Sequence, residues 1–267
     1  MRNLALGLLL MSIVGLSWAT APVKSIAAED SQWGSVSGQI VFSGEPFAAM
    51  PVEITQDKAH CVGDRGDRGP ILNPQWVINQ KNKGIKNVFV WLGPDSTTKN
   101  AKFAPEQIHP SMAKGGGEKV IDQPCCEFEP HVLAVQAGTK VLVKNSSPVA
   151  HNVQWNSKSN GSGNISLPSK SGVHTFTDLV ADTLPMTINC NVHPWMNAYM
   201  RVFDHGYFAV TDADGKFEIK NAPKGKVRIF IWHEGAGYLG GREGRAGKVI
   251  EVTGTVTDLG KLELSKN

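Results

Sequence analysis

The chain has 267 residues, of which 41% are hydrophobic, with a formal charge of +3 and four cysteines. That length allows one large or two ordinary domains with real cores, so stability need not rest on disulfides. The near-neutral balance argues against a nucleic-acid surface.

The first element is an apolar run from Leu4 to Trp18 behind Arg2, followed by small residues as far as Ala28. It has the form of a secretory signal peptide over residues 1–28, with cleavage after Ala19 or near Ala27 and Ala28. The run is shorter than the roughly 20 apolar residues that span a bilayer, and no later segment is long enough. The expected location is therefore periplasmic or secreted, with no membrane span after cleavage. Loss of Arg2 and Lys24, with no acid, lowers the formal charge to about +1.

Short alternating runs follow: Val36, Gly38, Ile40 and Phe42; Val88 and Val90; Val141 and Val143; Val227, Ile229 and Ile231; Ile250 and Val252. Each has the period of a strand with one buried face. Turn signals such as Ser43-Gly44, Ala137-Gly138, Asp214-Gly215 and Pro223-Lys224-Gly225 separate them, and no stretch holds a helical period. The expected fold class is all-β, built as sandwiches or barrels. Asp57 to Pro74 and Gly93 to Lys119 read as long surface loops. The first contains Arg65-Gly66-Asp67, a triplet that arises easily by chance in so charged a loop.

The segment Cys190-Asn191-Val192-His193-Pro194-Trp195-Met196 places a thiol, an imidazole and a thioether on one short loop. Soft sulfur with imidazole suits copper, and two histidines and a cysteine with a distant axial methionine make a blue-copper electron-transfer set. The missing imidazole is His151, just after the strand Val141 to Asn145. The expected ligands are His151, Cys190, His193 and Met196, holding one copper ion. Met200 is a rival axial sulfur, but its distance from His193 in sequence suits a strand better.

Phe128-Glu129-Pro130 through Val135, Ala137-Gly138, Val141, Asn145, His151-Asn152 and then Cys-x-x-His-Pro-Trp-Met together resemble a cupredoxin. The ligand loop resembles amicyanin, and the preceding strands resemble plastocyanin. The resemblance spans 87–203, with Asn87 to Leu92 as the first strand of that domain. It implies a Greek-key sandwich around a type 1 copper site and single-electron transfer to a redox protein, such as a c-type cytochrome or a copper oxidoreductase. It also implies a tethering role for Asn152 and an electron port at the exposed edge of His193, flanked by Pro194 and Trp195.

Gly34 to Gly44, and Thr211 to Phe217 with Pro223-Lys224-Gly225, resemble carboxypeptidase-regulatory-like domains. The implied arrangement is a split transthyretin-like sandwich over 34–56 plus 207–264, with the copper domain inserted in it or fused to it.

In an oxidising compartment Cys61 can pair with Cys125 or Cys126, leaving Cys190 for the metal. Cys126 is preferred, because Cys-x-Phe-x-Pro-His leads directly into a strand. Asp212 and Asp214 lack the rest of a calcium loop and suit a tight turn. Trp232-His233-Glu234 could form a second metal or redox site with His131 or His205 only if folding brings them together. No hydrolytic or nucleotide-binding motif stands out. Besides electron transfer, two other functions fit the ligands: a copper enzyme with an open coordination position, and an extracellular copper-carrying or binding module.

Overall fold

The structure, a computed structural model, describes residues 32–266. The signal-peptide expectation lies outside them. Among the described residues the chain forms sixteen strands, with helix confined to five short turns. In order these are β1 (Trp33–Phe42), β2 (Phe89–Pro94), β3 (Glu118–Ile121), β4 (Val132–Gln136), β5 (Lys140–Asn145), β6 (His151–Asn156), β7 (Ser162–Leu167) and β8 (Gly172–Phe176). Then come β9 (Met186–Asn189), β10 (Asn197–Phe203), β11 (Phe208–Val210), β12 (Lys216–Pro223), β13 (Gly225–His233), β14 (Gly237–Tyr238), β15 (Lys248–Val252) and β16 (Val256–Leu264).

These strands build four sheets. One pair, β4-β10-β9-β6-β7 with β3-β5-β8, carries the ligand loops. Its core takes Ile121, Val141, Val143, Val153, Ile188 and Met200, all fully buried, from strands whose alternate residues point inward. The second pair, β12-β1-β16 with β11-β2-β13-β14 and β15 beside β13, shares another core that includes Val36, Ile40, Val90, Leu92, Ile219 and Ile229. Each such buried side chain contributes roughly 1.5–3 kcal/mol before conformational entropy is set against it.

A third cluster lies between the pairs. Phe89 and Trp91 of β2 pack there with Val132 of β4 and Phe203 of β10, and Phe230 and Trp232 of β13 lean on them. Trp91 stacks on Phe230 at 5.2 Å, while the guanidinium of Arg201 sits 3.8 Å from the Trp91 ring centre. The alternation of β2 is therefore buried on both sides, with Val90 and Leu92 facing one core and Phe89 and Trp91 the other.

That placement differs from the sequence expectation for Asn87 to Leu92 as the first strand of the copper-binding domain. The segment pairs antiparallel with β11 and β13, and no strand of the ligand-bearing sheets hydrogen-bonds to it. A run apolar at every position belongs in the middle of a sheet covered on both faces, and β2 takes such a position between β11 and β13.

The two segments read as surface loops are also partly interior. Within 57–74, Cys61 is fully buried and Ile71 is nearly so, and within 93–119 Phe103 joins the second core. Asp212 and Asp214 form a turn: the Asp212 carboxylate accepts the backbone N–H groups of Asp214 and Lys216, and Asp214 accepts the side-chain amides of Asn79 and Asn82. Gly215, at φ 74°, completes that turn where a side chain would strike the carbonyl of Ile40.

Candidate metal centre

His151 is the first residue of β6, and the turn before it is pinned from within. The amide of Asn145 donates to the carbonyls of Val149, Leu167 and Pro168, and Ser147 Oγ donates to Asn145 Oδ1. Cys190 follows β9, and the chain then loops to β10. The loop is closed by the N–H of Cys190 donating to the carbonyl of Met196 at 3.1 Å, and the N–H of Met196 to that of His193 at 2.9 Å.

Asn152 joins the two ligand-bearing segments. Its Oδ1 accepts the backbone N–H of Asn191 at 2.6 Å and that of Val192 at 3.2 Å, while its amide donates to Asn164 Oδ1. Cys190 Sγ lies 3.3 Å from the same oxygen.

These supports bring three donor atoms to one point. Cys190 Sγ is 3.8 Å from His151 Nδ1 and 3.8 Å from His193 Nδ1, and the two Nδ1 atoms are 2.9 Å apart. The position equidistant from all three is about 2.1 Å from each, close to the roughly 2.0–2.3 Å of metal–imidazole and metal–thiolate bonds. His151, Cys190 and His193 are 1%, 2% and 0% exposed. Burial, with the charges of His193 and His60 added and Asp57 opposing, pushes the His151 pKa down to about 4. The imidazole is neutral at ordinary pH, the form that can ligate a metal.

Met196 is 2% exposed at the closing end of the loop, in the same core cluster. Met200 is fully buried on β10, in register with Met186 of β9.

The surroundings of His193 differ from the exposed electron port expected of it. The ring is completely buried, and its Nε2 lies 2.8 Å from Asp57 Oδ2, within hydrogen-bond distance. The segment that begins at Asp57 lies over it and is bonded to the opposite loop by a Cys61–Cys126 disulfide. Both of those sulfurs lie within 4.8 Å of a His193 ring nitrogen; being joined to each other, they offer no thiolate. Of the expected port residues only Pro194 is exposed. Trp195 is half-buried, with its ring 5.1 Å from His193 and its indole N–H donating to the carbonyl of Cys126.

Arg65 anchors the same segment. It is buried and donates to the carbonyls of Gly69 and Cys125 and to Glu127, so the Arg65-Gly66-Asp67 triplet begins with an internal brace.

The sequence reading missed Asp57 and His60. The signal it passed over was a cysteine inside a charged loop: a disulfide-forming Cys61 must be carried inward, and its neighbours go with it.

Of the remaining histidines, folding brings His131 to Glu234 of the Trp232-His233-Glu234 triplet, and among the described residues no further ligand joins them. His131 bridges Glu234 and the carbonyl of Asn197, His205 accepts the N–H of Tyr207, and His233 accepts the N–H of Gly235 with its ring 4.2 Å from Trp76. Among the described residues they gather into no metal-binding group.

Two imidazoles and a thiol converging in a dry core define the donor set of a mononuclear soft-metal site. No family model and no curated protein matches the chain. Solved structures similar to part of it are cupredoxins. A purple cupredoxin from Nitrosopumilus maritimus is 20% identical, with 32% of this chain and 99% of that chain covered and a TM-score of 0.27. A reduced amicyanin variant is 20% identical, with 42% and 99% covered and a TM-score of 0.29. An oxidised amicyanin variant is 24% identical, with 33% and 83% covered and a TM-score of 0.28. These likenesses take in a minority of the chain and carry no argument about its function.

Proposed function

We propose that the chain is an exported copper protein that carries single electrons between redox partners. His151 and His193 would ligate through Nδ1, Cys190 through its thiolate, and Met196 would stand as the axial sulfur. The observation that supports this reading is the convergence of His151 Nδ1, His193 Nδ1 and Cys190 Sγ inside the core.

Copper bound there would supply one-electron chemistry by alternating between Cu(II) and Cu(I). The chain's part is to hold its donors still. Asn152 fixes the ligand loop to β6, the two backbone bonds close that loop on itself, and burial of all three donors keeps bulk water away. A cage that does not rearrange lowers the cost of each electron transfer, as a pre-organised site should.

A redox protein, such as a c-type cytochrome or a copper oxidoreductase, would dock briefly at the face carrying Pro194 and Trp195 through a small interface. We further propose that the strands within 34–56 and 207–264, which are β1 and β11 to β16, form the carboxypeptidase-regulatory-like, transthyretin-like module, interrupted by the copper-binding strands and completed by β2. Export rests on the N-terminal apolar run. Among the described residues no helix is long and apolar enough to cross a membrane.

The test is an optical spectrum of the purified protein with one equivalent of Cu(II). An intense blue band from thiolate-to-copper charge transfer is expected, and Cys190→Ser should abolish it. A coloured Cys190→Ser protein, or a colourless wild type with full copper loading, overturns the assignment.

A further inference from the structure

The tie between Asp57 and His193 reaches across 136 residues to a segment outside both ligand-bearing loops. Asp57 has a φ of 45°, a left-handed conformation that aspartate adopts more readily than most side chains. Its carbonyl accepts the N–H groups of His60 and Cys61, which turns the chain sharply inward to the disulfide. Behind it the segment is braced by the three bonds of Arg65 and by an ion pair between Arg68 and Glu129.

The two imidazoles are consequently unequal. His151 Nε2 is buried with no hydrogen-bond partner among the described residues, whereas His193 Nε2 faces the carboxylate of Asp57, a side chain 40% exposed. A carboxylate on the far nitrogen of a ligating histidine holds the proton there, leaves Nδ1 bare for the metal and makes that nitrogen a stronger donor. A negative charge so close to the centre also favours the more highly charged state of a bound cation.

We propose that Asp57 is a positioning residue of the copper centre: it fixes the tautomer and orientation of His193 and biases the site toward Cu(II). The inference rests on the copper reading for its redox consequence, but not for the tautomer. Two measurements therefore separate the failures.

In the metal-free protein, long-range proton–nitrogen NMR of the imidazoles should show His193 protonated at Nε2 alone, and Asp57→Ala should give a mixture of tautomers. In the copper-loaded protein, Asp57→Asn keeps an acceptor oxygen and removes the charge. The ratio of Cu(II) to Cu(I) affinity should fall about tenfold, a rise in reduction potential of about 59 mV for one electron. Asp57→Ala should raise it further, while the blue band persists in both. Asp64→Asn, a change of equal charge on the same segment at a side chain that is 69% exposed, should leave the potential in place.

A His193 protonated at Nδ1 in the wild type, or tautomers unchanged in Asp57→Ala, overturns the positioning role. An affinity ratio that moves less than threefold in both Asp57 variants, or equally in Asp64→Asn, overturns the bias toward Cu(II). A wild type that takes up no copper, with His193 still protonated at Nε2, sinks the copper reading and the redox bias while the contact stands.

Discussion

His151 and His193 offer the same donor atom to the same point, yet each reached it by a different route. The residue types on the Cys190–Met196 loop announced their chemistry in sequence, because a thiol, an imidazole and a thioether within seven residues have few structural uses together. His151 was legible only as the histidine just after the strand Val141 to Asn145, at the right remove from Cys190. Met196 takes the axial place in the proposed site, and an axial sulfur tunes a centre more than it retains the metal. Met196→Leu should keep copper and colour while raising the reduction potential, read by spectroelectrochemical titration. If Met200→Leu moves the potential and Met196→Leu does not, the axial sulfur is the one on β10. Asp57 was illegible for a physical reason: an aspartate among lysines and arginines has the composition of a solvated turn, and only the fold shows that it meets an imidazole far along the chain.

At the scale of elements, alternation gave some strands of each sheet pair, since inward and outward positions differ sharply in β5 and β13; β12, which alternates as clearly, was not among the runs it picked out. The cupredoxin resemblance put Asn87 to Leu92 in the copper-binding domain, whereas β2 pairs with β11 and β13; an apolar run records burial on two faces but not against which sheets. The cap over His193 owes its place to a covalent bond. Cys61 and Cys126 close a loop with a sequence separation of 65, and removing the cross-link with Cys61→Ser and Cys126→Ser together should cost about 4 kcal/mol in the chain-entropy model. Urea unfolding of the oxidised and double-mutant proteins measures that loss, and peptide mapping without reduction identifies the bond. A cross-link containing Cys190, or equal stability of the two proteins, contradicts this account of the cap.

Across the whole molecule, buried neutral histidines set the response to acid. Burial holds both His205 and His233 at a pKa of about 4, with Asp204 opposing at His205 and a backbone hydrogen bond with Gln75 opposing at His233. Their unfolded-state value is about 6.5, so between those pH values the unfolded chain binds more protons, and stability falls as pH drops through that window. Each histidine should account for roughly 2 kcal/mol between pH 7 and pH 5. Asp182 acts lower: hydrogen bonds from Ser157, Ser159, Thr183 and Leu184 outweigh its burial and depress its pKa below 3.8, so its contribution is lost only in stronger acid. Urea midpoints of the metal-free protein at pH 7 and pH 5 provide the check. Equal stability at both would mean that these rings are protonated in the fold or reach water.

The pairing of β1 sets a schedule for making the protein. β1 lies between β12 and β16, running antiparallel to the first and parallel to the second, so the earliest strand described must wait for the last before its sheet can close. The strands that carry the metal ligands are complete by Phe203, well before Val256–Leu264 emerges. A newly made chain can therefore bring His151, Cys190 and His193 together while the flanking sheets are still open. During that interval β1 presents unpaired backbone to any neighbouring chain, and the hazard ends only when the final strand arrives.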